Sequence, residues 1–218
     1  MFDRINKLKI LGYEPNIIID IGAHHGNWSK SVFNIYPNTK YYLFEAIDYK
    51  QLDMFISHKN FKLFKPVCLN NENTEVDWYE KRNTGDSFFK ENTNIFKDVI
   101  PIKKQTFTFD TIIENDEIIK KEKNIFIKID CQGAEIPILQ GAKSIIPKTD
   151  FILLEVPLFG KYNENVPSFL EHISYMDSIG FVPYDILENH YIQHFNMQVD
   201  MLFINKNHSF LQKVQNNL

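Results

Sequence analysis

Cysteine is scarce in this chain. Its 218 residues hold two, Cys68 and Cys131, far apart and each in an apolar stretch. That argues against a disulfide framework and for a reducing compartment, so the chain reads as cytoplasmic. A basic excess is missing too. The formal net charge is −4 and the lysines are spread along the chain, whereas a nucleic-acid binder needs a basic face to neutralise phosphates. No apolar run approaches the roughly 20 residues that span a bilayer. The first segment, "MFDRINKLKILGYEP", lacks the apolar core and small-residue cleavage site of a signal peptide. It reads as a short amphipathic helix within residues 1–15, ended by Gly12 and Pro15. Repeats, low-complexity tracts and inter-domain linkers are also absent. These absences leave a globular protein with neither a nucleic-acid partner nor a membrane span.

What is present is a core. The chain is 44% hydrophobic and 24% charged, which suits one domain over residues 1–218. Short apolar runs rich in β-branched and aromatic residues predict strands at 16–21, 40–46, 61–69, 75–80, 102–109, 124–130, 150–156, 180–187 and 199–205. Helical spacing predicts helices at 27–36, 48–58, 109–119, 134–146 and 166–180. Strands alternating with helices imply parallel pairing, and the near-continuous apolar runs "IIIDI", "IFIKI" and "FILLEV" imply strands covered on both faces. The last two strands have no clear helix between them and read as an antiparallel pair. The expected fold is a Rossmann-like, doubly wound α/β domain with a mostly parallel sheet, whose ligands gather at the C-terminal ends of the strands.

Those ends carry a short set of residues. "IIIDIGAHHGNWS" (17–29) leaves a strand through Asp20 and a Gly-x-x-x-G turn, Gly22 to Gly26. Glycines let a ligand approach the backbone, and the helix start that follows offers free N–H groups; a plain tight turn accounts for the same spacing. The dinucleotide pattern G-x-G-x-x-G is missing, because position 24 is His and position 27 is Asn, and the P-loop Lys-Ser/Thr is missing as well. A pyrophosphate is therefore not the expected ligand. Glu45 ends the second strand about 20 residues on, where a carboxylate can accept both hydroxyls of a ribose. Adenosine without pyrophosphate, beside the acidic Asp20 and Asp130, points to the cationic S-adenosylmethionine. An NAD-dependent oxidoreductase and a non-catalytic nucleoside-binding domain are the rival readings.

The segments "IDIGAHHGNWS", "YLFEA", "TGDSFFKENT", "FIKIDCQGAEIPILQGA", "ILLEVPLF" and "QVDMLFINK" together resemble the FkbM-type methyltransferases, over residues 16–206. The resemblance implies a class I, S-adenosylmethionine-dependent O-methyltransferase with S-adenosylhomocysteine as product. It places the cofactor against Asp20, Gly22, Ala23, His24, Gly26, Asn27, Glu45 and Ala46, with adenine near Cys68 and Leu69. Relatives carry Asn where this chain has His24, then an aliphatic residue where it has His25. The acceptor implied is a sugar or glycan precursor.

Asp130 closes the strand expected to face the methyl donor, and is the first candidate for a base, ahead of His25; helix capping is its structural alternative. Glu135 suits a first helical turn, and Glu155 suits the acceptor pocket or a shared metal with Asp130, although the spacing does not require Mg²⁺. In "TGDSFFKENT" (84–93) Ser87 is expected to point inward from a cover over the cofactor. His190 and His194 have the i, i+4 spacing of a helical metal pair, but without the Glu of H-E-x-x-H they read as solvated residues. No metal site is expected.

Overall fold

The computed structural model describes residues 1–159 and 162–215. A seven-stranded sheet in the order β3-β2-β1-β7-β8-β10-β9 forms its centre. Its strands are β1 (Ile17–Ile21), β2 (Lys40–Phe44), β3 (Phe61–Phe64), β7 (Ile125–Ile129), β8 (Thr149–Pro157), β9 (Phe181–Ile192) and β10 (Phe195–Asn205). β1 pairs in parallel with β2 and β7, β2 with β3 and β7 with β8, whereas β10 runs antiparallel to both β8 and β9. A smaller sheet, β4-β6-β5, lies beside it, formed by β4 (Cys68–Leu69), β5 (Glu75–Trp78) and β6 (Ile102–Phe107).

Alternation along each central strand sends side chains to two cores. Ile17, Ile19 and Ile21 of β1, with Ile127 and Leu154, pack under α3 (Phe109–Ile112), α4 (Glu117–Lys121), α5 (Glu135–Gln140) and α6 (Phe169–Ser178). Ile18, Phe126, Leu153 and Leu202 face the other way, toward α1 (Phe2–Ile10), α2 (Asn27–Ile35), the 3-10 helix Lys50–Phe55 and α7 (Ser209–Gln215). Burial on both faces explains why these strands read as unbroken apolar runs. Among the described residues no helix is long and apolar enough to cross a membrane.

Several predicted elements are divided. The strand expected over 61–69 is two strands in two sheets. Pro66 lies between them and has no N–H for a ladder, so β3 stays in the main sheet and β4 joins β6. The helix expected over 109–119 is α3 and α4, because the Asp116 carboxylate accepts the N–H groups of Ile118 and Ile119 and starts a new helix. The helix over 134–146 ends at Gln140, and the one over 48–58 is a single 3-10 stretch. In the other direction, β9 and β10 run past their predicted ends and leave Gln193 and His194 as the turn of a long hairpin.

Candidate functional site

The turn after β1 is built by close packing. Gly22 and Gly26 have φ of 76° and 78°, where a side chain is strained, and His24 adopts φ 48° between them. A Cβ on Gly22 would stand 2.0 Å from the Asp130 carbonyl oxygen, and one on Gly26 would stand 2.3 Å from the Phe55 ring. The glycines thus bring the end of β1 against the end of β7, and the start of α2 against Phe55. At Gly26 the room that a missing Cβ leaves is taken by that ring.

Beneath the turn lies a buried charge cluster. Asp20 is fully buried and accepts a 2.6 Å hydrogen bond from the Ser29 hydroxyl. The ammonium of Lys128 is 3.1 Å from Asp20 Oδ1, 3.5 Å from Asp130 Oδ2, and donates to the Gly22 carbonyl at 3.2 Å. Burial opposes the lysine's charge, but Asp20 and Asp130 outweigh it and raise its pKa. Trp28 of α2 covers the ammonium, 5.7 Å from the ring centre. Lys128 is not among the residues singled out above, although a lysine inside "IFIKI" is a signal: a charge on a doubly covered strand must be paired.

Glu45 follows β2. Its Oε2 accepts the His24 N–H at 2.7 Å and its Oε1 accepts the Ile47 N–H at 2.9 Å. Burial raises its pKa, against the lowering effect of those two N–H groups. The residue therefore clamps the β1 turn to the end of β2. His24 and His25 stack at 3.8 Å, and both meet the Tyr49 ring edge-on. Burial first, then His25, holds His24 below the usual imidazole range, with Asp130 opposing.

Over these strand ends opens a cleft, the place where ligands of open α/β sheets bind. Of the residues singled out above, Gly22, His24, Glu45, Ala46, Cys68, Leu69, Ser87 and Asp130 line it. Asp20, Ala23, Gly26 and Asn27 do not. Asp20 and Ala23 are buried beneath the turn, Gly26 is covered by Phe55, and Asn27 is exposed at the start of α2. His25 is also absent from the lining. Phe44, Val67, Ile138 and Phe88 give the cleft apolar walls. Segment 84–93 closes one side: the Ser87 hydroxyl donates to the carbonyls of Cys131 and Gln132 at 3.4 and 3.2 Å, which fixes this cover to the turn after β7. That turn is held in turn by Glu135, whose Oε1 accepts the Cys131 N–H at 2.9 Å.

A second cavity adjoins the first, and Thr84, Asp130 and Gln132 line both. Its other walls include Glu91, Glu155, Tyr162 and His190. Register explains the chemistry gathered here. Ile129 pairs with Leu154, so Asp130 stands level with Glu155; Glu155 pairs with Asp200, and Asp200 with Glu188. A row of carboxylates thus crosses four strands on the Lys128 side of the sheet. Gln132 Nε2 donates to Glu155 at 2.8 Å, and His190 Nε2 bonds Asp200 at 2.8 Å. Burial, then Asp130, Glu135 and Asp200, raises the Glu155 pKa well above the carboxylate range.

His190 lies in β9 and His194 is exposed in the hairpin turn, so the helical pairing their spacing allows does not form. Among the described residues no group of three or more His, Cys, Asp or Glu side chains is placed to hold a metal ion.

Residues 20–183 match the family model described as the methyltransferase FkbM domain, which is more than half of the chain. No curated protein matches. Among solved structures, the FkbM methyltransferase of Methylobacillus flagellatus superimposes with a TM-score of 0.53 at 15% identity, over 87% of this chain and 43% of that protein. The chain therefore spans under half the length of that relative. The 1,6-didemethyltoxoflavin N1-methyltransferase of Burkholderia thailandensis, solved with S-adenosylhomocysteine, gives a TM-score of 0.53 at 8% identity, over 94% of this chain and 78% of that protein. At these identities the likeness is one of fold, the class I methyltransferase fold.

Proposed function

The chain belongs to the FkbM methyltransferase domain family, and from that premise we propose that it transfers a methyl group from S-adenosylmethionine to a hydroxyl of a small molecule, a sugar or glycosylated acceptor. The observation that carries the reading is the pair of adjoining cavities with Asp130 on their shared wall.

The first cavity fits the cofactor. Its apolar walls around Cys68 and Leu69 suit adenine, the Glu45 carboxylate suits a ribose diol, and Asp130 suits a cationic amine or sulfonium. Among the described residues no lysine or arginine lines it to meet a pyrophosphate, so NAD fits less well. When bound, S-adenosylmethionine supplies an electrophilic methyl carbon whose bond to sulfur breaks as the acceptor oxygen bonds to it.

The protein's part is to bring the two reactants together and to exclude water, which removes a large entropic barrier. Asp130, at the shared wall, positions the acceptor by accepting a hydrogen bond from a hydroxyl beside the reacting one, while Lys128 fixes its orientation from behind. His25 borders neither cavity, so we assign it no part in proton transfer. Asp20, Ala23, Gly26 and Asn27 act by shaping the turn, and Gly22, His24, Glu45, Ala46, Cys68, Leu69 and Ser87 contact the cofactor. We assign the single domain 1–218 to the cytoplasm, where its two unpaired thiols stay reduced.

The test is transfer of tritiated methyl from S-adenosylmethionine to a panel of methyl glycosides. Label in a sugar methyl ether supports the reading; release of S-adenosylhomocysteine with label in an amine instead would contradict it.

A further inference from the structure

The second cavity contains a pair that methyl donation by the first does not use. His190, on β9, reaches diagonally across the hairpin to Asp200 on β10, which its Nε2 meets at 2.8 Å. Asp200 is almost completely buried while His190 is partly open to the cavity. With Nε2–H donating to the carboxylate, Nδ1 carries the free lone pair. A buried carboxylate that orients an imidazole whose other nitrogen is free is an arrangement suited to proton abstraction.

The surroundings favour this use. Asp130, on the wall shared with the cofactor cleft, and Glu155 line the same cavity. Among the described residues the charged groups acting most strongly on His190 are Asp200 on β10, Glu188 on its own strand and Asp130 at the end of β7. All are acidic, so an imidazolium formed here is stabilised. The hydrogen bond to Asp200 is the largest influence on His190 and raises its pKa, against the lowering effect of burial. A sugar hydroxyl is a weak nucleophile, and an imidazole is a better proton acceptor near neutrality than an ordinary carboxylate. Asp130 is already engaged by Lys128 at 3.5 Å. Among the described residues the cavity has no lysine or arginine to receive an anion, which favours neutral polyols and protonated amino sugars over sugar phosphates as the acceptor class.

We propose that the cavity lined by Glu91, Glu155, Tyr162 and His190 is the acceptor subsite, and that His190, oriented by Asp200, takes the proton of the acceptor hydroxyl. The O–H bond breaks, an N–H bond forms at Nδ1, and the imidazolium is paired with Asp200. This inference rests on the methyltransferase reading above.

Two readouts separate the two claims. Nitrogen NMR follows the His190 ring against pH in the unliganded protein and in Asp200→Asn. We expect titration above the ordinary histidine value and a clear fall in Asp200→Asn; an ordinary titration that ignores Asp200→Asn overturns the dyad whatever the enzyme does. Second, calorimetry with S-adenosylhomocysteine and transfer to methyl glycosides compare wild type with His190→Gln. Unchanged affinity with transfer reduced about 10²–10⁴-fold, partly rescued by free imidazole, supports the assignment. Transfer near the wild-type rate in His190→Gln overturns it. If the wild type binds S-adenosylhomocysteine but methylates no glycoside, the sugar reading fails, and the titration alone decides the dyad. Methylation of glucose 6-phosphate in preference to methyl glucoside would overturn the acceptor class.

Discussion

The ammonium of Lys128 stands 3.1 Å from the carboxylate of Asp20, with the two side chains 8% and 0% exposed. A buried ion pair contributes little net stability, but removing one partner leaves the other charged and unsolvated. Lys128→Met should therefore cost about 3–5 kcal/mol in urea unfolding. Adding Asp20→Asn should recover part of that loss, because the stranded charge is gone. A single variant as stable as the parent would mean that water or Ser29 already satisfies Asp20. The ion pair explains why both residues are needed under the turn although neither lines the cleft.

Glu155 offers a test in pH. Its native pKa is raised by burial and by the carboxylates of Asp130, Glu135 and Asp200. For such an acid the native state holds the proton more tightly than the unfolded chain does. Its effect is favourable below the unfolded value of about 4.3 and becomes a loss as pH rises through the native value. Glu155→Gln keeps the acceptor for Gln132 and removes the charge. It should melt higher than the parent in alkaline buffer, and the advantage should shrink as the pH is lowered toward the unfolded value. Equal melting in alkaline buffer would show that the carboxylate row is solvated.

Cys68 tests the walls of the cleft. Burial pushes its thiol up to about 12, and the thiolate is the reactive form. Iodoacetamide near neutral pH should leave Cys68 unmodified in the native protein and modify it in urea, as mass spectrometry of the peptide would read. Fast native modification would mean that the wall opens.

Much of this was legible beforehand. The alternation of strands with helices, the aliphatic runs of β1, β7 and β8, and the antiparallel end of the sheet all follow from periodicity, which local burial dictates. Glu45 and Asp130 were legible because strand ends are positions fixed by the fold. The pair His190–Asp200 was not, since ten residues separate its members and their meeting depends on a hairpin register broken by bulges. The glycines show a subtler limit. The spacing Gly-x-x-x-G allows either room for a ligand or a plain tight turn, and in the fold Gly22 faces the Asp130 carbonyl and Gly26 faces Phe55. Gly22→Val should consequently lower stability, with any loss of ligand binding secondary to it, which circular dichroism melting alongside a binding measurement would separate.

The cofactor site is tested most directly by calorimetry of S-adenosylhomocysteine and NAD against the wild type and Glu45→Ala. Glu45 makes two charge-assisted bonds to the turn, at 2.7 and 2.9 Å, and lines the cleft. The wild type should bind S-adenosylhomocysteine at one site and give no heat with NAD. Glu45→Ala should weaken that binding at least tenfold, which is about 1.4 kcal/mol and below the 1.5–3 kcal/mol of a single charged hydrogen bond. Binding of NAD by the wild type, or undiminished affinity for S-adenosylhomocysteine in Glu45→Ala, would contradict the assignment of this cleft.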